Sequence, residues 1–416
     1  MATVVGFDCL RCGARYGLDA YAQDCPRCHA EAPSNLVVAY AEDPAAALRR
    51  PTGNGGGLWR YGDVLPVAPA DAVSLAEGST PLVALERIAA ATGVATLLGK
   101  DETRNPTGSF KDRLAAIAVA YARSIGAPAI VSSSTGNAGA AVAAYAARAG
   151  LPAIVFTAEG AVGPLLTQMK AYGAKVVAVP TKAGRWPLMR YGVERFGFFP
   201  TSPFFAPVVG SNPVGIEGYK TLAYEVVEQL DWQVPDVCVL PVCYGDALIG
   251  MWRGFLDLKA AGWIDRLPRM MAAEIYGSLG AALASGSDAL PDMPQTHATV
   301  AKSTTATQST YQALHALRAS GGTAVSVGND DIMDWQARLA SAEGLYVEPA
   351  AAGSIAAVAA LRRAGAIGDG ERVVALLTAG GLKDPDATAA RQGEVIPVPL
   401  EPEAAFAKLA EAGVLP

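Results

Sequence analysis

Short apolar runs alternate with alanine-rich segments of helical length along most of the chain after residue 95. Continuous apolar runs are typical of strands that are buried on both faces, as in parallel sheets covered by helices. The predicted strands are Ala95–Gly99, Ala129–Ser133, Ala153–Thr157, Lys175–Pro180, Val237–Val242, Met271–Ile275 and Val373–Thr378. The predicted helices include Leu114–Arg123, Gly139–Ala149 and Glu217–Leu230. The pattern therefore predicts an α/β protein with mostly parallel sheets, whose ligand lies at the carboxyl ends of the strands.

Length, composition and net charge indicate what kind of protein this is and which partners it does not bind. The chain has 416 residues, of which 51% are hydrophobic and 17% charged, enough for two or three domains with a large core. A net charge of −6 without a basic cluster argues against nucleic-acid and membrane-surface partners. The apolar run Pro349–Leu361 is too short to cross a bilayer, and the N-terminus lacks the features of a signal peptide. We expect a soluble cytoplasmic protein.

Four cysteines form two CxxC pairs near the N-terminus, Cys9 with Cys12 and Cys25 with Cys28. Two such pairs separated by a short loop suit a tetrahedral zinc ion held by four thiolates. The alternative is two reducible disulfides, which are less common in cytosolic enzymes because the cytosol keeps thiols reduced. His29 is interpreted as a bystander, and no ligand position is left open, so the zinc is expected to be structural.

The sequence predicts three segments. The zinc ribbon covers residues 1–33, and an Ala-, Pro- and Gly-rich linker covers residues 34–57. The remaining residues, 58–416, contain the alternating strands and helices and are expected to carry the chemistry.

The segment Asn105–Arg113 contains the lysine with the most distinctive setting. Asn-Pro and Thr-Gly are turn formers, and Lys111 lies where the following helix begins. The helix dipole and burial both disfavour a charged amine at this position, which lowers its pKa. Lys111 is therefore a candidate Schiff-base nucleophile, with a solvated surface lysine as the alternative.

Three more loops follow predicted strands. Ser132–Gly139 offers hydroxyls and backbone N–H groups at a helix N-terminus, which suits an anion or an ordinary helix cap. Pro241–Asp246 contains a glycine that lets the backbone approach a phosphate. Leu377–Asp384 contains two glycines, which suit close packing on a planar ligand or a simple turn.

Six motifs occur in a characteristic order: Glu77–Pro81, Asn105–Arg113, Ser134–Asn137, Glu217–Thr221, Glu348–Ala350 and Thr378–Pro385. Together they resemble the threonine synthase family of pyridoxal-phosphate enzymes, which has the tryptophan synthase β-like fold. The resemblance covers most of the chain. It implies a two-domain catalytic region with parallel-rich sheets, whose smaller lobe covers roughly residues 115–200, and an N-terminal zinc ribbon.

The resemblance also implies residue roles. Lys111 would hold pyridoxal 5'-phosphate as a Schiff base and then shuttle protons. Phe110 would pack near the pyridine ring, and Asn137 would hydrogen-bond the 3-hydroxyl. Thr378 would face the pyridine nitrogen, and a hydroxyl there leaves that nitrogen mostly unprotonated, which suits elimination and replacement over transamination.

The substrate carboxylate would be held by Ser134, Thr135 and the backbone around Gly136, according to the same resemblance. The family's third motif supplies these three positions. They precede a predicted helix, so their N–H groups would favour an anion.

The cofactor-phosphate loop departs from the family pattern. Where relatives usually have a Gly- and Asn-rich loop, this chain has Cys243, Tyr244, Gly245, Asp246 and Ala247. We expect the main chain to bind the phosphate, with help from the Tyr244 hydroxyl. Asp246 would repel a dianion, so we expect it to cap the helix or turn away.

The sequence near the expected substrate site also departs from the family pattern. After Asn212, relatives carry an arginine that binds the phosphate of O-phosphohomoserine, whereas this chain has Gly215. Losing an arginine removes a bidentate phosphate partner. Lys302, with its neighbouring hydroxyls, is either a replacement anion site or part of a polar surface loop. Asn212 and Lys302 are retained as candidate substrate-binding residues.

The first hypothesis for function is conversion of O-phospho-L-homoserine and water into L-threonine and phosphate. The alternative is a paralogue with another amino-acid substrate: a serine/threonine-type dehydratase, an ammonia-lyase or a β-replacement enzyme like cysteate synthase. A third hypothesis is a non-catalytic binding relative. The expected partners are a small amino-acid substrate and a second copy of the chain, because relatives are often homodimers.

Overall fold

The computed structural model describes residues 3–22, 24–51, 56–181 and 183–414. Residues up to Asp384 form one compact unit, and residues from Pro385 onward form a second, small unit. The predicted linker over residues 34–57 lies partly outside the described residues, at positions 52–55. The predicted segment boundaries remain predictions.

The N-terminal part forms an antiparallel sheet of three strands in the order β2-β1-β3. These strands are β1 Val4–Cys9, β2 Arg15–Tyr16 and β3 Leu36–Tyr40. Cys9 pairs with Leu36, so the sheet continues past residue 33 into the segment interpreted as a linker.

Two larger sheets follow. The other strands are β4 Leu82–Ala84, β5 Thr96–Asp101, β6 Ile130–Ser133, β7 Ala153–Ala158, β8 Lys175–Val179, β9 Phe199–Pro200, β10 Val237–Pro241, β11 Arg269–Glu274, β12 Thr323–Ser326 and β13 Arg372–Leu377. One sheet has the order β12-β11-β10-β13-β5-β4, with only β4 antiparallel to its neighbour, and the other has the parallel order β8-β7-β6-β9.

Helices cover both larger sheets. The α-helices of the first unit are α1 Glu86–Thr92, α2 Lys111–Ser124, α3 Asn137–Ala149, α4 Pro164–Ala171, α5 Arg185–Phe196, α6 Pro213–Ile216, α7 Lys220–Gln229, α8 Asp246–Ala260, α9 Ser278–Ser285, α10 Tyr311–Ser320, α11 Asn329–Glu343 and α12 Pro349–Arg363. The second unit contains α13 Asp386–Ala389 and α14 Pro402–Glu411. Single-turn or short 3₁₀ segments lie at Leu18–Ala22, Pro44–Ala47, Gly57–Val64, Pro69–Asp71, Glu102–Arg104, Glu217–Tyr219, Lys302–Thr304 and Gly381–Lys383.

The predicted fold class and all seven predicted strands are confirmed, with ends that differ by at most two residues. The central strands are recognisable because both of their faces are covered. In β13, Val373 and Ala375 pack in one core cluster, whereas Val374 and Leu376 pack in another. The positions of β13 after Arg372 are therefore all apolar, which gives a strong sequence signal.

None of the described helices combines the length and the apolar composition needed to cross a membrane.

Four charged side chains form a fully buried network beside the lysine loop. Arg113 donates to both oxygens of Glu102, at 2.7 and 2.8 Å, and to both oxygens of Glu225 at the same distances. Lys100 donates to Glu225 at 2.7 Å. Two cations thus neutralise two carboxylates, and burial of each charge is offset by direct ion pairs. The network joins β5, α2 and α7 at the start of the helix that bears Lys111.

Gly218 explains why α2 and the segment before α7 pack so closely. A Cβ atom at Gly218 would lie 2.1 Å from the carbonyl oxygen of Arg113. The glycine of the Glu217–Thr221 motif therefore allows the direct backbone contact that brings Glu225 to Arg113.

Replacing Arg113 by Met tests this network. Glu102 would then lose its direct ion-pair partner and Glu225 would keep only Lys100, so we expect the free energy of unfolding to fall by about 3–5 kcal/mol. Urea denaturation followed by tryptophan fluorescence measures the change. Arg104→Met is the matched control, because Arg104 is 68% exposed in its pair with Asp101, and it should change stability by less than about 0.5 kcal/mol. Equal effects of the two substitutions would contradict a special role of the network.

Candidate active site

Lys111 is the first residue of α2, at the end of the loop that begins with Asn105. The Asn105 amide donates to the Glu102 side chain at 2.8 Å, which ties the loop to the buried ion-pair network. At the other end of the loop, the Phe110 N–H donates to the carbonyl of Thr378 at 2.9 Å. The loop is therefore held between the carboxyl ends of β5 and β13, which are adjacent strands.

The Lys111 amine lies against aromatic rings. Its Nζ is 4.4 Å from the ring centroid of Phe110 and 5.7 Å from that of Tyr219, and the two rings stack on each other. None of the described residues accepts a hydrogen bond from Nζ. Burial lowers the pKa of Lys111, although the nearby carboxylates of Asp246 and Glu348 act in the opposite direction. The result is an amine with a raised neutral fraction, suited to nucleophilic or base chemistry.

Asn137 begins α3 and faces the N-terminal end of α12. Its Nδ2 donates to Glu348 Oε2 at 2.9 Å, and Ser303 Oγ donates to Glu348 Oε1 at 3.2 Å. Burial raises the pKa of Glu348. The Oδ1 atom of Asn137 is buried and has no partner among the described residues. An unpaired buried acceptor points to a donor supplied from outside the chain, such as a ligand hydroxyl.

The loop before α3 presents backbone N–H groups to the same region. Ser134 Oγ accepts hydrogen bonds from the N–H groups of Gly136 and Gly139, each at 3.1 Å. Thr135, between Ser134 and Gly136, is exposed. The first N–H groups of α3 have no acceptor within the helix, so this end of the helix favours an anion such as a carboxylate.

The cofactor-phosphate loop, defined as Cys243–Ala247, connects β10 to α8. Gly245 has a φ of +74°, and a Cβ there would lie 2.4 Å from the Ala313 Cβ, so only glycine fits. Asp246 turns its carboxylate away and accepts from the backbone and hydroxyl of Ser211, at 3.0 and 2.6 Å. The first N–H groups of α8 remain without acceptors inside the helix, which suits a phosphate.

Three positions considered for substrate binding, Asn212, Gly215 and Lys302, are occupied by contacts within the protein. Asn212 caps α6 through its Oδ1 and donates to the Pro200 carbonyl at 2.7 Å, so its amide is fully used. A Cβ at Gly215 would lie 2.9 Å from Leu114 Cγ, so this position faces α2. Lys302 is exposed and pairs with Asp384 at 2.6 Å. These residues therefore provide no unpaired cation for a substrate phosphate.

Two residues of the site were not predicted as site residues, although both lie within the recognised motifs. Tyr219 belongs to the Glu217–Thr221 motif and stacks on Phe110. Glu348 opens the Glu348–Ala350 motif and holds Asn137. In the sequence, Tyr219 is only an aromatic residue, and Glu348 only an acidic residue, near the start of a helix. Such residues are common in proteins, so neither indicated a specific role.

A third unpredicted residue is Arg185, which is buried in the first turn of α5. Its charge interacts with Tyr244 of the cofactor-phosphate loop, and burial lowers the pKa of the guanidinium. α5 packs on β6, whose carboxyl end leads into the Ser134 loop. Arg185 is thus a buried cation near the cofactor-phosphate loop, on a helix that packs against the strand leading to the Ser134 loop.

The four ribbon cysteines come together in the folded chain. Their sulfur atoms all lie within 4.8 Å of one another, with Cys9 and Cys28 at 3.8 Å and Cys12 and Cys25 at 3.7 Å. These separations are too long for disulfides. They match the edge of a tetrahedron with Zn–S bonds of about 2.3 Å, which is about 3.8 Å. The donor set therefore fits zinc.

Comparison with known proteins agrees with this geometry. The sequence profile of the family described as "Pyridoxal-phosphate dependent enzyme" matches residues 73–379. The threonine synthase of Methanocaldococcus jannaschii is 34% identical over 94% of this chain and 96% of its own length. The threonine synthase of Mycobacterium tuberculosis is 36% identical over 84% of this chain and 94% of its own length.

Solved structures share the fold. Maize serine racemase superposes with a TM-score of 0.62 at 21% identity, covering 73% of this chain and 88% of that chain. O-ureido-L-serine synthase gives a TM-score of 0.61 at 23% identity, covering 76% of this chain and 94% of that chain. At these identities the likeness establishes the fold alone.

Replacing Lys111 by Ala tests the assignment of the amine. We expect pyridoxal phosphate to form a visible absorbance band with the unmodified protein that borohydride abolishes, leaving a covalent adduct at Lys111 in peptide mass spectra. The Lys111→Ala variant should give no adduct, because the amine of Lys383, in the loop after β13, is already held by the Thr107 carbonyl and Gln168 Oε1. Lys259→Ala, at an exposed position in α8, should behave like the unmodified protein. An adduct that persists in Lys111→Ala would refute the assignment.

Proposed function

The chain belongs to the pyridoxal-phosphate-dependent enzymes and, among them, to the threonine synthase family, and we propose that it converts O-phospho-L-homoserine and water into L-threonine and phosphate. It is a lyase-type enzyme of amino-acid metabolism. The observation that carries the proposal is relatedness to threonine synthases over nearly the whole chain, including the segment that bears Lys111.

Lys111 is proposed to hold the cofactor and to act as the base. Pyridoxal phosphate, when bound, accepts the electron pair that remains after the substrate Cα–H bond breaks. The Lys111 amine takes the Cα proton, and its lowered pKa supports this role because more of the amine is neutral near neutral pH. The rings of Phe110 and Tyr219 form an apolar wall beside Nζ and limit the access of water.

The residues that would hold the cofactor fit its functional groups. The unpaired Oδ1 of Asn137 is an acceptor for the 3-hydroxyl, with its amide orientation fixed by Glu348. The N–H groups of Gly245, Asp246 and Ala247 would bind the phosphate. Thr378 would offer its hydroxyl to the pyridine nitrogen.

The substrate carboxylate is assigned to the loop Ser134–Gly136 at the start of α3. The capping bonds of Ser134 shape this loop and leave the N–H groups of Asn137 and Ala138, the first two of α3, for an anion. Thr135, which follows Ser134, is exposed and can donate its hydroxyl.

Arg185 is the proposed partner of the substrate phosphate. Gly215 has no side chain, and Lys302 is neutralised by Asp384. Arg185 carries a buried guanidinium near Tyr244, and guanidinium matches phosphate in both charge and geometry.

A dehydratase, ammonia-lyase or cysteate synthase-like β-replacement reaction is the second candidate. The glycine at position 215, where the family resemblance implies a phosphate-binding arginine, favours it. The role of Lys111 is the same in both candidates, and they differ in the leaving group and its position.

Cys9, Cys12, Cys25 and Cys28 are proposed to hold one structural zinc ion. The backbone N–H groups of Arg11 and Cys12 donate to Cys9 Sγ at 3.3 and 3.4 Å, which stabilises a thiolate. Four protein ligands complete the tetrahedron, so the metal has no open position for substrate.

A cytoplasmic homodimer is the proposed assembly and location. The four ribbon cysteines, whose sulfur atoms lie too far apart for disulfides, support an intracellular setting.

Product analysis distinguishes the two reactions. With O-phospho-L-homoserine we expect equimolar L-threonine and phosphate, because water replaces the phosphate. With L-serine, L-threonine or diaminopropionate we expect little keto acid. Rapid keto-acid release without phosphate release from O-phospho-L-homoserine would favour the second candidate.

Replacing Arg185 by Gln tests whether this residue binds the substrate phosphate. Loss of a charged hydrogen bond should raise KM for O-phospho-L-homoserine by about tenfold or more and change kcat less. Arg190→Gln, in the same helix but 55% exposed, should leave KM unchanged. Equal KM values for the two variants would remove Arg185 from the site.

Metal analysis tests the ribbon. We expect about one zinc per chain, and Cys9→Ser should lower both zinc content and the free energy of unfolding, because binding of a structural metal contributes to folding. At saturating cofactor, the turnover number of the folded Cys9→Ser variant should change little, whereas its free energy of unfolding should fall clearly. Cys238→Ala, in a buried strand away from the cluster, should keep the zinc. Full stability of Cys9→Ser without metal would contradict a structural role.

A further inference from the structure

The cofactor-phosphate loop is held from behind by the start of α10. Ser309 Oγ donates to the Cys243 carbonyl at 3.0 Å, and Thr310 Oγ1 donates to the Tyr244 carbonyl at 2.6 Å. Gln312 Nε2 donates to the same Tyr244 carbonyl at 2.8 Å. These three bonds turn the carbonyl groups of the loop away from the cleft, so its N–H groups face the phosphate site.

Gln312 also controls the one acidic residue of the loop. Its Nε2 donates to Asp246 Oδ1 at 2.7 Å, and Ser211 holds both oxygens of the same carboxylate. Gln312 is fully buried and Asp246 nearly so. A carboxylate released from these donors could turn toward the cofactor phosphate and repel it, since two negative charges at short range interact strongly away from water.

Asn35 fixes the orientation of Gln312. Asn35 Nδ2 donates to Gln312 Oε1 at 3.0 Å and to the Ser211 carbonyl at 3.3 Å, while Asn35 Oδ1 accepts from the Leu36 N–H at 3.0 Å. The two buried amides therefore specify each other's rotamers. The contact is tight: a Cβ at Gly210 would lie 2.3 Å from Gln312 Nε2 and 2.6 Å from Asn35 Nδ2.

The peptide that bears Asn35 is held by the two cysteine knuckles. The Leu10 N–H, between Cys9 and Cys12, donates to the Asn35 carbonyl at 3.3 Å. The Cys25 N–H donates to the Ser34 carbonyl at 3.1 Å. A continuous series of hydrogen bonds thus runs from the four-cysteine cluster through Asn35 and Gln312 to the cofactor-phosphate loop.

We infer that Asn35 and Gln312 are positioning residues that couple the four-cysteine metal site to the cofactor-phosphate loop, so that zinc occupancy sets the affinity for pyridoxal phosphate. The inference rests on the proposed function, because it concerns the phosphate of the same cofactor. Zinc keeps the knuckles in place, the knuckles hold Asn35, and Asn35 with Gln312 keeps the Asp246 carboxylate away from the phosphate. The ribbon is then part of the cofactor site as well as a stabilising element.

A thermodynamic cycle on the full chain tests the coupling. The dissociation constant of pyridoxal phosphate is measured by equilibrium dialysis for the unmodified protein and for Asn35→Leu, each with zinc and after zinc chelation. We expect either change alone to weaken binding by about tenfold, as loss of one buried hydrogen bond implies. Chelation should weaken binding little further in Asn35→Leu, because the connection is already broken. Asp288→Asn, which removes the separate contact between Arg11 and Asp288, should bind the cofactor normally.

The outcomes are distinct. Unchanged binding by Asn35→Leu would overturn the positioning role, and an equal further loss on chelation would overturn the coupling to the metal. If Asn35→Leu does not fold, hydrogen exchange of residues 243–249 in the unmodified protein decides: faster exchange after zinc chelation supports the coupling, and unchanged exchange refutes it. Failure of the proposed function shows separately, as absence of a borohydride-reducible adduct in the zinc-loaded protein.

Discussion

The position of Lys111 depends on the buried ion pairs of Arg113, two residues further along α2. Arg113 binds Glu102 after β5 and Glu225 in α7, and Lys100 completes the neutralisation of the two carboxylates. Because none of these side chains contacts solvent, each charge is tolerated only in the presence of the others. The network therefore admits one arrangement of α2 relative to the sheet, and the amine of Lys111 is fixed with it at the strand ends.

The other parts of the site are positioned by the same geometric principle. Adjacent parallel strands end at one edge of the six-stranded sheet, so the loops after β5, β10 and β13 converge there. The loop before α3, from the four-stranded sheet, approaches from the opposite side and is linked to that edge by the bond between Asn137 and Glu348. Helix N-termini from both sheets thus face one region, which explains why it suits a ligand with separate phosphate and carboxylate groups.

The fold was predictable from the sequence because its central strands leave a local signal, whereas the role of Lys111 stays a prediction. Continuous apolar runs indicated strands such as β10 and β13, which are covered on both faces, whereas the short strand β12, Thr323–Ser326, is only partly buried and was missed. The contact of Asn35 with Gln312 left no signal, since the two residues are 277 positions apart and neither belongs to a recognisable motif. Gly215 was noticed as a departure from the family, but its orientation toward α2 depends on packing that the sequence does not specify.

A single bound cofactor should bridge the Lys111 loop and the start of α8. A crystal structure of the enzyme with pyridoxal phosphate would show whether it does. We expect continuous density from Lys111 Nζ to the cofactor, with the phosphate on the N–H groups of Gly245, Asp246 and Ala247 and the 3-oxygen beside Asn137. Density attached to another lysine, or a phosphate bound away from the start of α8, would contradict it.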